Sequence, residues 1–178
     1  MAHFAVTAVG ADRPGIVAAV TRAFVDHGCN LEDSSMTILG GQFAMMLVVD
    51  APPPVTAADL EEALAAPARH LDLLVAVRPA LERAADVADG GTWTVSVHGA
   101  DRPGIVHGVA SLLAERSVNI VDLSTRVVGA PDRPLYTMVL EVTLPADGDP
   151  RALQAALEGL AGELGVTCRL HPSEADIL

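Results

Sequence analysis

Aromatic side chains are nearly absent from this chain: one Trp, one Tyr and three Phe make up 3% of its 178 residues. A surface that stacks nucleic-acid bases needs clustered aromatics, and Phe4, Phe43, Trp93 and Tyr136 stand singly. Positive charge is scarce too. Eleven Lys and Arg against 23 Asp and Glu leave a formal net charge of −12, which opposes direct binding to phosphate backbones or anionic membranes. No apolar run approaches the roughly 20 residues that span a bilayer. The opening stretch MAHFAVTAVGADRPG has no basic region ahead of a long apolar one, so a cytoplasmic location is expected. Cys29 and Cys168 form no CxxC pair and read as buried small residues in a reducing compartment. The six histidines show no HxH or HExxH spacing, so neither a zinc site nor any other cofactor is expected. His98 and His107 flank one candidate turn, yet their counterparts in its copy are Val9 and Ala18. No Walker-type or dinucleotide-binding glycine loop occurs, and Ser34, Ser35 and Ser124 lack a nucleophile-elbow pattern. The reading is therefore not an enzyme.

What the chain does have is a sentence written twice. GADRPGIV fills residues 10–17 and again residues 99–106. The offset of 89 residues holds beyond the motif: Val20 maps to Val109, Asn30 to Asn119, Asp33 to Asp122 and Ser35 to Ser124. A repeat of this length is a duplicated domain, since solenoid units are shorter. Half the residues are hydrophobic (51%), enough for two small cores. The expected organisation is a first domain over 1–78, a linker over 79–91 with a short helical turn, a second domain over 92–172, and a tail at 173–178.

Each half reads as six elements. Residues 3–9 (HFAVTAV) and 92–98 (TWTVSVH) alternate as half-buried strands do. Helices follow each DRPG turn, with Ile16, Val20 and Phe24, or Ile105, Val109 and Leu113, on one apolar stripe. Asp12 and Asp101 occupy N-cap-like positions, and Pro14 and Pro103 suit a first turn. Gly28 is a natural left-handed helix stop, with Ser117 as its counterpart. Strands are expected over 30–39 and 42–50, joined by the hairpin signal Gly40-Gly41. Their counterparts run over 118–128 and 135–145, with a longer connection, GAPDRP, at 129–134. Helices over 56–69 and 150–164 and strands over 71–77 and 166–170 complete the halves. The fold class is α+β: two ferredoxin-like β-α-β-β-α-β units in tandem, each an antiparallel sheet with both helices on one face.

A strand that turns straight into a helix exposes backbone N–H groups at the positive end of a dipole, which favours a carboxylate. Gly15 and Gly104 permit close approach of a ligand to the backbone. Asp12 and Asp101 accept hydrogen bonds and suit an ammonium group, and Asn30 and Asn119 can donate and accept. A carboxylate receptor beside an ammonium receptor describes an amino-acid site. Aspartate before a helix also serves commonly as a cap, and Pro-Gly as a turn, so spacing alone leaves both readings open.

The order strand, DRPGIV, helix, HGCNL, strand resembles the ACT domain, a small regulatory module that binds amino acids. Two such modules, the first reading DRPGIVAAVTRAFVDHGCNLEDSSMTILGGQFAMMLVV, look like the glycine cleavage system transcriptional repressor family. That resemblance implies regulation by a small amino acid such as glycine or serine. It also implies action through a regulatory partner protein rather than direct contact with nucleic acid, and a homodimer. ACT sites usually lie between paired modules, which by position implies Asp12, Arg13, Gly15, Ile16 and Asn30, with Asp101, Arg102, Gly104, Ile105 and Asn119. Many such domains carry asparagine where this chain has aspartate in both copies. The alternative function is a scaffold without a sensing role, or an accessory subunit of an amino-acid or folate enzyme. Formyltetrahydrofolate deformylases join a similar module to a catalytic domain.

Overall fold

A computed structural model describes residues 2–80, 90–130 and 133–173. The chain divides into two units, 1–84 and 85–178, each with its own core. In the first, β1 (Ala2–Ala11), α1 (Ile16–Asp26), β2 (Asn30–Leu39), β3 (Gln42–Ala51), α2 (Ala57–Leu71) and β4 (Leu73–Pro79) follow in order. The second repeats them as β5 (Thr92–Ala100), α3 (Ile105–Glu115), β6 (Asn119–Ala130), β7 (Arg133–Thr143), α4 (Pro150–Leu164) and β8 (Val166–Pro172). The sheets are antiparallel, in strand order β2-β3-β1-β4 and β6-β7-β5-β8. The expected tandem of β-α-β-β-α-β units is the observed fold. The helical turn expected within the linker falls among residues 81–89, outside the described ones, as does 174–178 of the expected tail.

Period-two alternation decides the strand faces. Phe4, Val6 and Ala8 on β1 and Phe43, Met45, Leu47 and Val49 on β3 turn toward the helices and are buried. Ile16, Val20, Phe24, Leu60 and Leu64 meet them from α1 and α2. Val95, Val97, Ile105, Val109, Leu113 and Leu157 hold the same places in the second unit. Fully burying one such side chain contributes about 1.5–3 kcal/mol, so this repeated set accounts for most of each unit's cohesion.

Two local expectations are corrected. First, the caps of α1 and α3 are not Asp12 and Asp101. Gly15 and Gly104 are the N-caps, both at φ 95° and ψ −8°, with no side-chain cap bond. Pro14 and Pro103 accordingly precede the helix instead of entering its first turn. Second, the GAPDRP connection is absorbed into the ladder, because Gly129 pairs with Pro134 and Ala130 with Arg133. The expected left-handed stop at Gly28 is observed, and its counterpart Ser117 adopts the same region, at φ 55° against 67°. Around both, the helix closes alike: Cys29 N–H donates to Phe24 O and Val118 N–H to Leu113 O. These are the six-to-one bonds of a Schellman end.

By contrast, α2 and α4 are conventionally capped. Thr56 and Asp59 form a capping box, and Asp149 accepts from Arg151 N–H at 2.9 Å. On α4, Gln154 also closes the outer edge of β8. Its Oε1 accepts from Leu170 N–H at 2.7 Å, and its Nε2 reaches Cys168 O at 3.5 Å. The fifth residue of α2, in the matching position, is Glu61, whose carboxylate has no donor.

Gly10 and Gly99 are required by close approach. A Cβ on Gly10 would meet Asp72 O and Leu73 Cδ2 at 2.7 Å, and one on Gly99 would meet Val166 Cγ1 at 2.9 Å. Gly10→Ala and Gly99→Ala are each expected to destabilise by about 1–3 kcal/mol in chemical denaturation. Ser117→Gly removes a side chain from a left-handed position and is expected to stabilise by about 1 kcal/mol, with Gly28→Ala costing a similar amount.

Candidate functional site

Each repeated turn carries the chain from the end of β1 or β5 directly into a helix. Val9 and Gly10 are still paired with β3 and β4, and Ile16, the first residue of α1, is already buried in the core. Four residues, 12–15, make the passage, and all are exposed. The left-handed φ of Gly15 permits this, and a Cβ there would meet nothing within 4 Å; Gly104 is equivalent. The first helical bonds close at Ala19 N–H to Gly15 O (2.9 Å) and Gly108 N–H to Gly104 O (2.8 Å). The N–H groups of residues 16–18 and 105–107 precede them, at the positive end of the helix. No side chain caps either end.

The flanks of the turn are fixed by backbone. Asp12 N–H donates to Gly41 O at 2.9 Å, tying the turn to the β2–β3 hairpin. In the second unit the guanidinium of Arg102 lies against Gly165, close enough that a Cβ there would sit 2.9 Å from its Nη1. Gly165 is the left-handed stop of α4, so the cation rests at the negative end of that helix.

Of the expected site residues, Asp12, Arg13 and Gly15, and Asp101, Arg102 and Gly104, gather at the turns and are exposed. Ile16 and Ile105 are there too, but their side chains are 1% and 2% exposed and belong to the cores. They offer the site only backbone N–H. Asn30 and Asn119 are exposed but lie elsewhere. Asn30 pairs with Asp50, which pairs with His3 at the start of β1, while Asp12 follows the end of β1. Nine residues of strand, about 30 Å, separate them. Within one module the turn and the asparagine therefore occupy opposite ends of the sheet.

Tyr136 was legible only as a stray aromatic, yet it stands beside the second turn. It pairs with Gly99 as Phe43 pairs with Gly10, and its hydroxyl donates to Met138 Sδ at 3.6 Å. Burial, and after it the charge of Asp101, push the phenol above the ordinary tyrosine range. Aligning the paired strands rather than the motif alone would have found it. The thiols of Cys29 and Cys168 are both pushed up, chiefly by burial, which makes them poor nucleophiles near neutral pH. His98 lies on the face of the sheet turned away from the helices, between Thr137 and Thr167. No group of three or more His, Cys, Asp or Glu among the described residues is arranged to hold a metal. No helix of the described residues is long and apolar enough to cross a membrane.

Residues 2–78 match one ACT domain family model and residues 93–160 match another. With the two units above, this defines a tandem ACT-domain protein. The glycine cleavage system transcriptional repressor of Escherichia coli (strain K12) is 31% identical over 165 residues, spanning 91% of this chain and 85% of that protein. A UPF0237 protein of Pyrobaculum aerophilum is 47% identical over 78 residues, 43% of this chain and 82% of its own length. Among solved structures, an unknown protein from Galdieria sulphuraria superposes with a TM-score of 0.81 at 30% identity, covering 96% of this chain and 97% of its own. The chain belongs to the glycine cleavage system transcriptional repressor family, as a regulatory ACT-domain protein related to that repressor.

Tyr136 is the chain's one tyrosine, so its titration can be followed by ultraviolet absorbance without assignment. Its ionisation is expected above the usual value of about 10, and Asp101→Ala is expected to lower it part of the way. Because the folded value is raised, the stability it confers is complete below about pH 10 and declines as pH rises further.

Proposed function

We propose that the protein senses a small amino acid of the size of glycine or serine at paired modules, in the cytoplasm, and acts on a regulatory partner protein. The observation that carries this reading is the contrast in capping. Two helices of each kind occur, and the two that follow the repeated turn are the two without a side-chain cap, despite an aspartate three residues ahead. Their N–H groups suit a ligand carboxylate, and Asp12 and Asp101 suit its ammonium group.

Pairing of edge strands would complete the site. β2 and β6 are edges of their sheets. If β2 of two copies pair antiparallel, the Asn30 end of one falls beside the Leu39 end of the other, next to the hairpin that holds Asp12. The asparagine of one module then faces the turn of its neighbour, as the resemblance to ACT domains implies. A homodimer follows from this reading. The ligand acts by binding one arrangement of modules better than another. A partner of protein chemistry fits the net charge of −12, which disfavours nucleic acid.

Thermal unfolding against a panel of amino acids tests this. A ligand at about 100 times its dissociation constant adds about 2.7 kcal/mol, so a clear rise in melting temperature is expected with a small amino acid. Asp12→Ala combined with Asp101→Ala is expected to abolish it. No rise with any amino acid at millimolar concentration would favour a scaffold or accessory subunit instead.

A further inference from the structure

The face of the first module's sheet that turns away from α1 and α2 is open, and its middle strands carry an apolar patch. Leu74, Met46 and Val9 are 80%, 56% and 44% exposed there, with Ala44, Ala5 and Ala76 between them. The second module has the same backbone with a polar face. In register, Thr167 replaces Leu74, His98 replaces Val9, Glu141 replaces Val48 and Arg169 replaces Ala76. The apolar face is therefore a property of this module and not a requirement of the fold.

We propose that this face docks on the same face of a second copy, sheet against sheet, about a two-fold axis parallel to the strands. Such an axis reverses the strand order, so β2 lies over the partner's β4 and β3 over the partner's β1. The rows of side chains then match large to small. Met46 faces the partner's Thr7, since the two share one row of the register; Val48 faces Ala5, Val9 faces Ala44 and Leu74 faces Thr37. Interdigitation of this kind is what two aligned sheets need in order to pack about 10 Å apart.

Charge matches as well. Asp33 and Arg78 end one row at its two edges, so the axis sets Arg78 opposite the partner's Asp33 at both ends of the interface. The two rows toward the turn, which hold Met46, Thr7 and Ala76 and then Ala44, Val9 and Leu74, carry no charge, which lets two strongly acidic chains approach there with least repulsion. Four strands at about 4.8 Å spacing over about 25 Å of length bury about 1,000 Å² in total, the lower bound for a specific association. The dimer is accordingly concentration-dependent. The interface uses side chains of β2 but neither its backbone edge nor the turns, and the proposal is independent of the amino-acid site.

A cysteine pair tests the geometry. Within one copy positions 37 and 74 lie on opposite edge strands, three strand spacings or about 14 Å apart, beyond the roughly 7 Å a disulfide bridges. Thr37→Cys combined with Leu74→Cys is expected to give a covalent dimer as the main product on mild oxidation. Neither single substitution is expected to do so, because like positions lie on opposite edges of the interface. By light scattering, Met46→Glu is expected to halve the mass seen at high protein concentration, and Val139→Glu, at the matching position of the second module, to leave it unchanged. Absence of the covalent dimer, or an unchanged mass in Met46→Glu, overturns the proposal and leaves the face to an unlike partner or to solvent.

Discussion

Everything in each module turns on one backbone angle, the φ of 95° at Gly15 and Gly104. An L side chain is disfavoured there by about 1–2 kcal/mol. With glycine, the strand can end and the helix begin within four residues. This drops Ile16 or Ile105 straight into the core and keeps the central strand in register with both neighbours. The same angle leaves the helix without a side-chain cap. Cohesion of the module and availability of its N–H groups thus come from a single residue. The other glycine of the motif, Gly10 or Gly99, is constrained differently, by the backbone that crosses it at the next strand.

Duplication has kept this frame and let the surroundings diverge. Each module has two helix ends in the left-handed region, but glycine holds a different one in each: Gly28 with Asp72 in the first, Ser117 with Gly165 in the second. Phe43 and Tyr136 occupy one register position, and only the second brings a hydroxyl near its turn. The middle of the sheet's side away from the helices is apolar in one module and polar in the other. Two copies of one backbone have thereby acquired different surfaces while the turns remain superimposable in sequence and angle.

The fold was legible because its signals are periodic and repeated. Alternation in HFAVTAV, the four-residue steps from Ile16 to Phe24 and the Gly40-Gly41 hairpin each report a local geometry that burial then enforces. The strand over 30–39 and the helix over 150–164 match the structure residue for residue. What failed was chemistry that depends on angle instead of pattern. Aspartate ahead of a helix reads as a cap, yet the left-handed glycine moves the helix start three residues on. Ser117 carries no sign that it accepts a positive φ; the Schellman bonds impose it. GAPDRP reads as a loop because of its prolines. A proline disturbs a sheet only where the ladder needs its N–H, however, and Pro134 sits near the tip of an edge hairpin. The candidate site was half legible. The turn residues announce themselves by repetition, but nothing local reveals that Asn30 lies at the far end of the sheet, because that distance is set by strand pairing.

The amide of Gln154 offers the outer side of β8 one acceptor and one donor, at the spacing a neighbouring strand would use. It acts as a dummy strand. A sheet finished in this way presents a blunted template on that side, because two of the outward groups of β8 are already taken. One glutamine thus works against strand-by-strand growth at this edge, the kind of contact that leads to open-ended fibres.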